Sequence, residues 1–226
     1  MIHLYATNIK DLPDPKEAPE VLGNLSSQRK KKTLQYRQPG DRKRCLGAGL
    51  LLVKTLPLHG ASPENVQVNP NGKPVAENVY FNLSHSADWV ICAVGEKRVG
   101  CDIEKINDEP EGLAERFFHQ NEAEYLNSTE GEMRRDTFFR LWTLKESYIK
   151  MTGEGLHLPL KCFEIILNSE NLSVRRAGNI LPCHLMEYQF PGYKASVCGE
   201  EEHFHKLVEY KAGDLLRHPR LPTRPL

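Results

Sequence analysis

Two pairs of side chains in this sequence have the type and spacing to do chemistry. In Val99-Gly100-Cys101-Asp102-Ile103-Glu104 two carboxylates are separated by one residue. Strand side chains alternate between faces, so Asp102 and Glu104 project together while Cys101 and Ile103 turn into apolar packing. Carboxylates held side by side repel each other and are stable together when a cation lies between them. An all-oxygen donor set favours magnesium, which keeps several waters and binds substrate phosphates. The same spacing also describes two ordinary acids on a solvated strand edge, which is the commoner situation. The second pair is Glu146 and Lys150, in Trp142-Thr143-Leu144-Lys145-Glu146-Ser147-Tyr148-Ile149-Lys150. Four residues apart on a helix, they share a face. They form either a simple ion pair worth about 0.2–0.5 kcal/mol, or a third metal carboxylate beside an ammonium for a phosphate.

Cations and hydrogen-bond donors are also clustered. Arg29-Lys30-Lys31-Lys32 and Arg42-Lys43-Arg44 are dense basic runs, which make either a solvated helix face or a site for a phosphorylated ligand. The turn at Gly72-Lys73-Pro74 offers one more lysine. Ser84-His85-Ser86 follows a short strand, where a hydroxyl and an imidazole can donate to phosphate. No nucleophile triad can be read from these residues.

Elements must hold these groups in place. Strands are predicted over 2–8, 79–83, 89–94, 99–104, 163–167, 185–190 and 194–197, from β-branched and aromatic runs bounded by turns. Helices are predicted over 41–56, 113–126 and 137–151 from apolar spacing. The chain has 226 residues, enough for one large domain or two small ones. Lys plus Arg and Asp plus Glu each number 30, so global charge points to neither nucleic acid nor a membrane surface. No apolar run approaches the ~20 residues of a membrane span, and the first residues lack the basic leader and apolar core of a signal peptide. Six widely spaced cysteines without a CxxC pair suit a reducing cytoplasm rather than a zinc or disulfide framework.

Taken in order, the pieces are more specific than any one alone. Asn71-Gly72-Lys73-Pro74, Phe81-Asn82-Leu83-Ser84-His85-Ser86, Gly100-Cys101-Asp102-Ile103-Glu104, Arg116-Phe117-Phe118 with Glu122, and Leu141-Trp142-Thr143-Leu144-Lys145-Glu146-Ser147 with Lys150 and Gly155-Leu156 follow one another. This series resembles the 4′-phosphopantetheinyl transferases of the surfactin-synthetase (Sfp) type. The resemblance implies an α+β fold of two similar lobes related by a pseudo-twofold, with the active site between them, residues 1–104 and then 105–212; the Pro- and Arg-rich tail, 213–226, is read from composition and has no counterpart in the family. It implies transfer of phosphopantetheine from coenzyme A, as co-substrate, to an apo carrier protein by a cytoplasmic monomer. Magnesium, or manganese, would be held by Asp102, Glu104 and Glu146. Lys73, Ser84 and His85 match positions that hold coenzyme A phosphates, Lys31 and Arg44 match contacts to the nucleotide end, and Lys150 matches a lysine near the pyrophosphate. Glu146 or Glu122 would be the base, directly or through water. The segment 113–126 would face the carrier. Cys101 stands where the family usually has an aliphatic residue and Ala87 where it often has Gly. A magnesium-dependent nucleotide hydrolase, or a relative that binds without catalysis, would use the same residues.

Overall fold

The structure, a computed structural model, describes residues 1–69, 72–109, 111–167 and 171–217. Asn71 of the Lys73 turn and most of the expected tail, residues 218–226, lie outside that set.

Strands β1 (His3–Asn8), β2 (Gln67–Val68), β3 (Pro74–Val75), β4 (Tyr80–Ser86), β5 (Trp89–Gly95) and β6 (Val99–Lys105) belong to the first part of the chain, with helices α1 (Ser27–Gln35) and α2 (Pro39–Thr55). Helices α3 (Leu113–Phe117), α4 (Gln120–Asn127) and α5 (Gly131–Thr152) follow, and then β7 (Phe163–Leu167), β8 (Leu172–Arg176), β9 (Asn179–Ile180), β10 (His184–Phe190), β11 (Tyr193–Gly199), β12 (Val208–Tyr210) and α6 (Ala212–Leu216). One sheet has the order β12-β1-β5-β4 and another the order β10-β11-β6. The α+β class expected from the resemblance is the class observed. No helix among the described residues is long and apolar enough to cross a membrane.

Three apolar clusters organise the elements. Leu46, Leu50 and Leu51 of α2 are fully buried with Val90, Cys92 and Val94 of β5; each such leucine contributes about 1.5–3 kcal/mol of burial. Helix α5 buries Phe138, Leu141 and Leu144 with Phe118, Phe163 and Ile165 in the second cluster. In the third, Cys101 and Ile103 of β6 meet Leu4, Ala6, Ile91 and Ala93. The inward turn of Cys101 and Ile103 that strand alternation predicts is therefore what sets β6 beside the first sheet.

Long-range pairing ties the first and last parts of the chain together. Strand β6 closes the expected first lobe in sequence yet hydrogen-bonds to β11, with Asp102 opposite Ser196. Strand β12 returns to pair in parallel with β1, and Leu215 of α6 is buried in the first cluster. The beginning of the expected tail is thus a packed element. The single helix predicted over 113–126 is two. His119 ends the run by N-capping α4: its side chain accepts from Asn121, and Glu122 reaches back to the His119 N–H. Such reciprocal capping favours a fresh helix start over continuation.

Candidate active site

Strands β4 and β6 lie side by side without a main-chain ladder between them, each being the edge of its own sheet. Side chains lace the seam. Ser84 donates to Asp102 Oδ1 at 2.8 Å and Ser86 donates to Glu104 Oε2 at 2.8 Å. The two serines are two residues apart on β4 and the two acids two apart on β6, so both strands present matched faces. Helix α5 crosses this face because Gly100 lets it. A Cβ at Gly100 would stand 2.2 Å from the Ser147 carbonyl oxygen and 2.3 Å from the Met151 nitrogen. That contact lowers Glu146 and Lys150 onto the carboxylates.

Lys150 Nζ donates to Asp102 Oδ1 at 2.5 Å and to Ser84 Oγ at 3.1 Å. Lys73 Nζ donates to the Lys150 carbonyl at 2.5 Å. Asp102, Glu104, Glu146, Lys150, Ser84 and Lys73 are thereby brought together. Burial disfavours the Lys150 ammonium, but the touching Asp102 carboxylate outweighs it and the net shift is upward. Burial, followed by the charge of Asp102, raises both Glu104 and Glu146. Burial lowers Lys73 and His85; nearby Lys150 adds to both shifts, and Arg44 acts on His85 before it. Like charges thus crowd in two groups, three acids and a set of cations, on adjoining ground.

The remaining expected residues are more scattered. Arg44 donates to the Ala87 carbonyl at 3.1 Å and is paired with Asp41, which brings it to the turn after β4. Ala87 there has φ of 45°, a left-handed conformation that explains a preference for glycine at this position. Lys31 is exposed on α1. Glu122 lies elsewhere. Its oxygens accept from Lys145 Nζ at 2.8 and 2.6 Å, from Ile165 N–H at 2.6 Å and from His119 N–H at 2.7 Å. Lys145 uses its third donor on the Phe163 carbonyl at 2.8 Å. Trp142-Thr143-Leu144-Lys145-Glu146 therefore serves two faces of α5: Trp142 and Lys145 face the second core, Glu146 the site. Phe118 is core, whereas Phe117 is half-buried against Trp142 with the Arg116 guanidinium over its ring. Ser86 joins the site as a donor to Glu104; its place two residues after Ser84 on one strand face is the sequence signal for it.

Among the described residues no three His, Cys, Asp or Glu side chains are gathered closely enough to hold a metal ion as they stand. The donor set nevertheless suits a hard cation. Asp102 Oδ2 is buried with no hydrogen-bond partner, and so is the hydroxyl of Ser196 directly across the ladder. A buried carboxylate oxygen without a donor is costly unless a cation or water completes it.

A family model described as the 4′-phosphopantetheinyl transferase superfamily matches residues 98–198, which hold Asp102, Glu104, Glu146 and Lys150. The gsp 4′-phosphopantetheinyl transferase of Aneurinibacillus migulanus is 36% identical over 180 residues, covering 77% of this chain and 76% of its own. The chain belongs to the 4′-phosphopantetheinyl transferases. A Bacillus subtilis member is 31% identical over 204 residues, 86% of this transferase and 91% of its own length. The Sfp transferase of Bacillus subtilis strain 168 is 36% identical over 148 residues, 62% and 66% of the two chains. Of the sequence motifs in this transferase, Ser84, Asp102, Glu104, Glu146 and Lys150 form the cluster on β4, β6 and α5.

Proposed function

We propose that this transferase moves the 4′-phosphopantetheine arm of coenzyme A onto a serine of an apo carrier protein, acting as a cytoplasmic monomer with its site at the β4–β6 seam. The observation that carries the reading of the site is the buried, unpartnered Asp102 Oδ2 beside Glu104, Glu146 and Lys150. Asp102, Glu104 and Glu146 would hold a magnesium ion, which when bound supplies a Lewis acid for phosphoryl oxygens.

The chain's own residues do the rest. Lys150, Lys73 and His85 would bind and orient the phosphates, and Arg44 and Lys31 the nucleotide end. A serine hydroxyl is a weak nucleophile at neutral pH and needs a base. Glu146 is half-buried and its carboxyl is raised, which moves a carboxylate toward the working range of a general base. It would take the hydroxyl proton as the serine oxygen attacks the phosphorus that bears pantetheine. The bond from that phosphorus to 3′,5′-ADP breaks, and the leaving phosphate keeps the electron pair, with Lys150 and His85 beside it. The four acceptor bonds of Glu122 support a structural role for it instead.

Intact mass of an apo carrier incubated with the protein, coenzyme A and magnesium tests the reading. Wild type should add one phosphopantetheine and Glu146→Ala should not. Unchanged mass with several unrelated carriers, or turnover of coenzyme A with no carrier present, would replace transfer with binding or hydrolysis.

A further inference from the structure

The seam between β4 and β6 does more than pack. Three alternate residues of β4 replace the missing ladder. Asn82 Oδ1 accepts from the Cys101 N–H at 2.9 Å, Ser84 holds Asp102, and Ser86 holds Glu104. The Ser86 hydroxyl has its direction fixed. It also accepts from the Lys105 N–H at 3.1 Å, so its own proton is directed to the acceptor-only carboxylate of Glu104. One hydroxyl thereby clamps the backbone at Lys105 and the side chain at Glu104.

Glu104 needs such a clamp more than Asp102 does. Asp102 is short, buried and held by both Ser84 and Lys150. Glu104 has one more rotatable bond, is half-buried, and carries the same charge as Asp102 and Glu146 beside it. Repulsion and side-chain entropy both drive it toward solvent. Ser86 supplies the hydrogen bond that opposes them, a charge-assisted one.

We propose that Ser86 is a positioning residue, which fixes the Glu104 carboxylate in the orientation needed for a divalent cation shared with Asp102 and Glu146. This rests on the reading of those acids as the metal site. Outer groups of this kind typically set metal affinity by 10–100-fold. Manganese is the probe, and the free-ion electron paramagnetic resonance signal is titrated against wild type, Ser86→Ala, Ser86→Thr and Glu104→Ala. Urea midpoints are measured on each. The Ser86→Ala protein should bind manganese about tenfold more weakly at urea concentrations where its unfolding curve shows it still folded. Threonine, which keeps the hydroxyl, should restore binding to within about threefold of wild type. Binding that Glu104→Ala removes but Ser86→Ala leaves intact overturns the role of Ser86 alone. A loss in Ser86→Ala that threonine does not restore overturns it too. No manganese binding by wild type overturns the metal-site reading, and the proposal with it.

Discussion

Replacing Glu122 by Gln separates a catalytic from a structural carboxylate. Lys145 is fully buried, and Glu122 is 3% exposed. The ammonium spends all three donors, two on Glu122 and one on the Phe163 carbonyl, and lies 4.2 Å from the Phe163 ring centre. In Glu122→Gln the single amide oxygen can accept from only one of Ile165 and His119, and the buried ammonium loses its counter-charge. Burial already lowers Lys145, with Glu122 acting against that shift. Breaking a buried pair from one side costs about 3–5 kcal/mol. With a urea m-value of about 2–3 kcal/mol/M for a chain of this size, the midpoint should fall by roughly 1–2.5 M. Glu122→Gln/Lys145→Met should recover part of the loss, because no lone charge remains. Urea unfolding followed by circular dichroism gives the midpoint, and the carrier mass assay at a temperature where the variant is folded gives the rate. A variant with an unchanged midpoint and a rate reduced a hundredfold or more would refute the structural assignment and restore Glu122 as a candidate base.

Two further outcomes follow from the packing. Gly100→Ala should displace α5 from β6, since the added carbon meets backbone at Ser147 and Met151; overpacking of this kind typically costs about 1–3 kcal/mol, and transfer should fall with stability in the same preparation. Full activity and an unchanged midpoint would show that α5 is not held where Glu146 and Lys150 need it. Acid should weaken the fold through a histidine cluster around His3. His3 stacks on His205 with ring centres 4.1 Å apart and meets His59 edge-on at 4.7 Å. Burial, then His205, His59 and the N-terminal amine, lower His3 from 6.5 to about 4, against the opposing pull of Glu201. The folded protein therefore binds fewer protons than the unfolded chain in that window, so the contribution is full above pH 6.5 and is lost as pH falls toward 4. Urea midpoints at neutral pH and at pH about 5 should differ less in His3→Gln than in wild type; equal differences would exclude His3 as a source.

Much of the site is legible one element at a time. Strand alternation alone sets Asp102 beside Glu104 and turns Cys101 and Ile103 to the core, and helical spacing alone sets Glu146 above Lys150. The order of the motifs is enough to indicate the family. These properties repeat with the period of the backbone, so a few neighbouring residues encode them. What joins distant residues is not written locally. The sequence pairs Glu122 with no particular cation, and only the packing of α4 on α5 gives it to Lys145, 23 positions away. Ser86 meets Glu104 across 18 positions because two sheets abut without a ladder, and β12 finds β1 from the far end of the chain. Such contacts depend on how whole faces bury their apolar surface, as Cys101 and Ile103 do against the first sheet, and that is a decision of the tertiary structure.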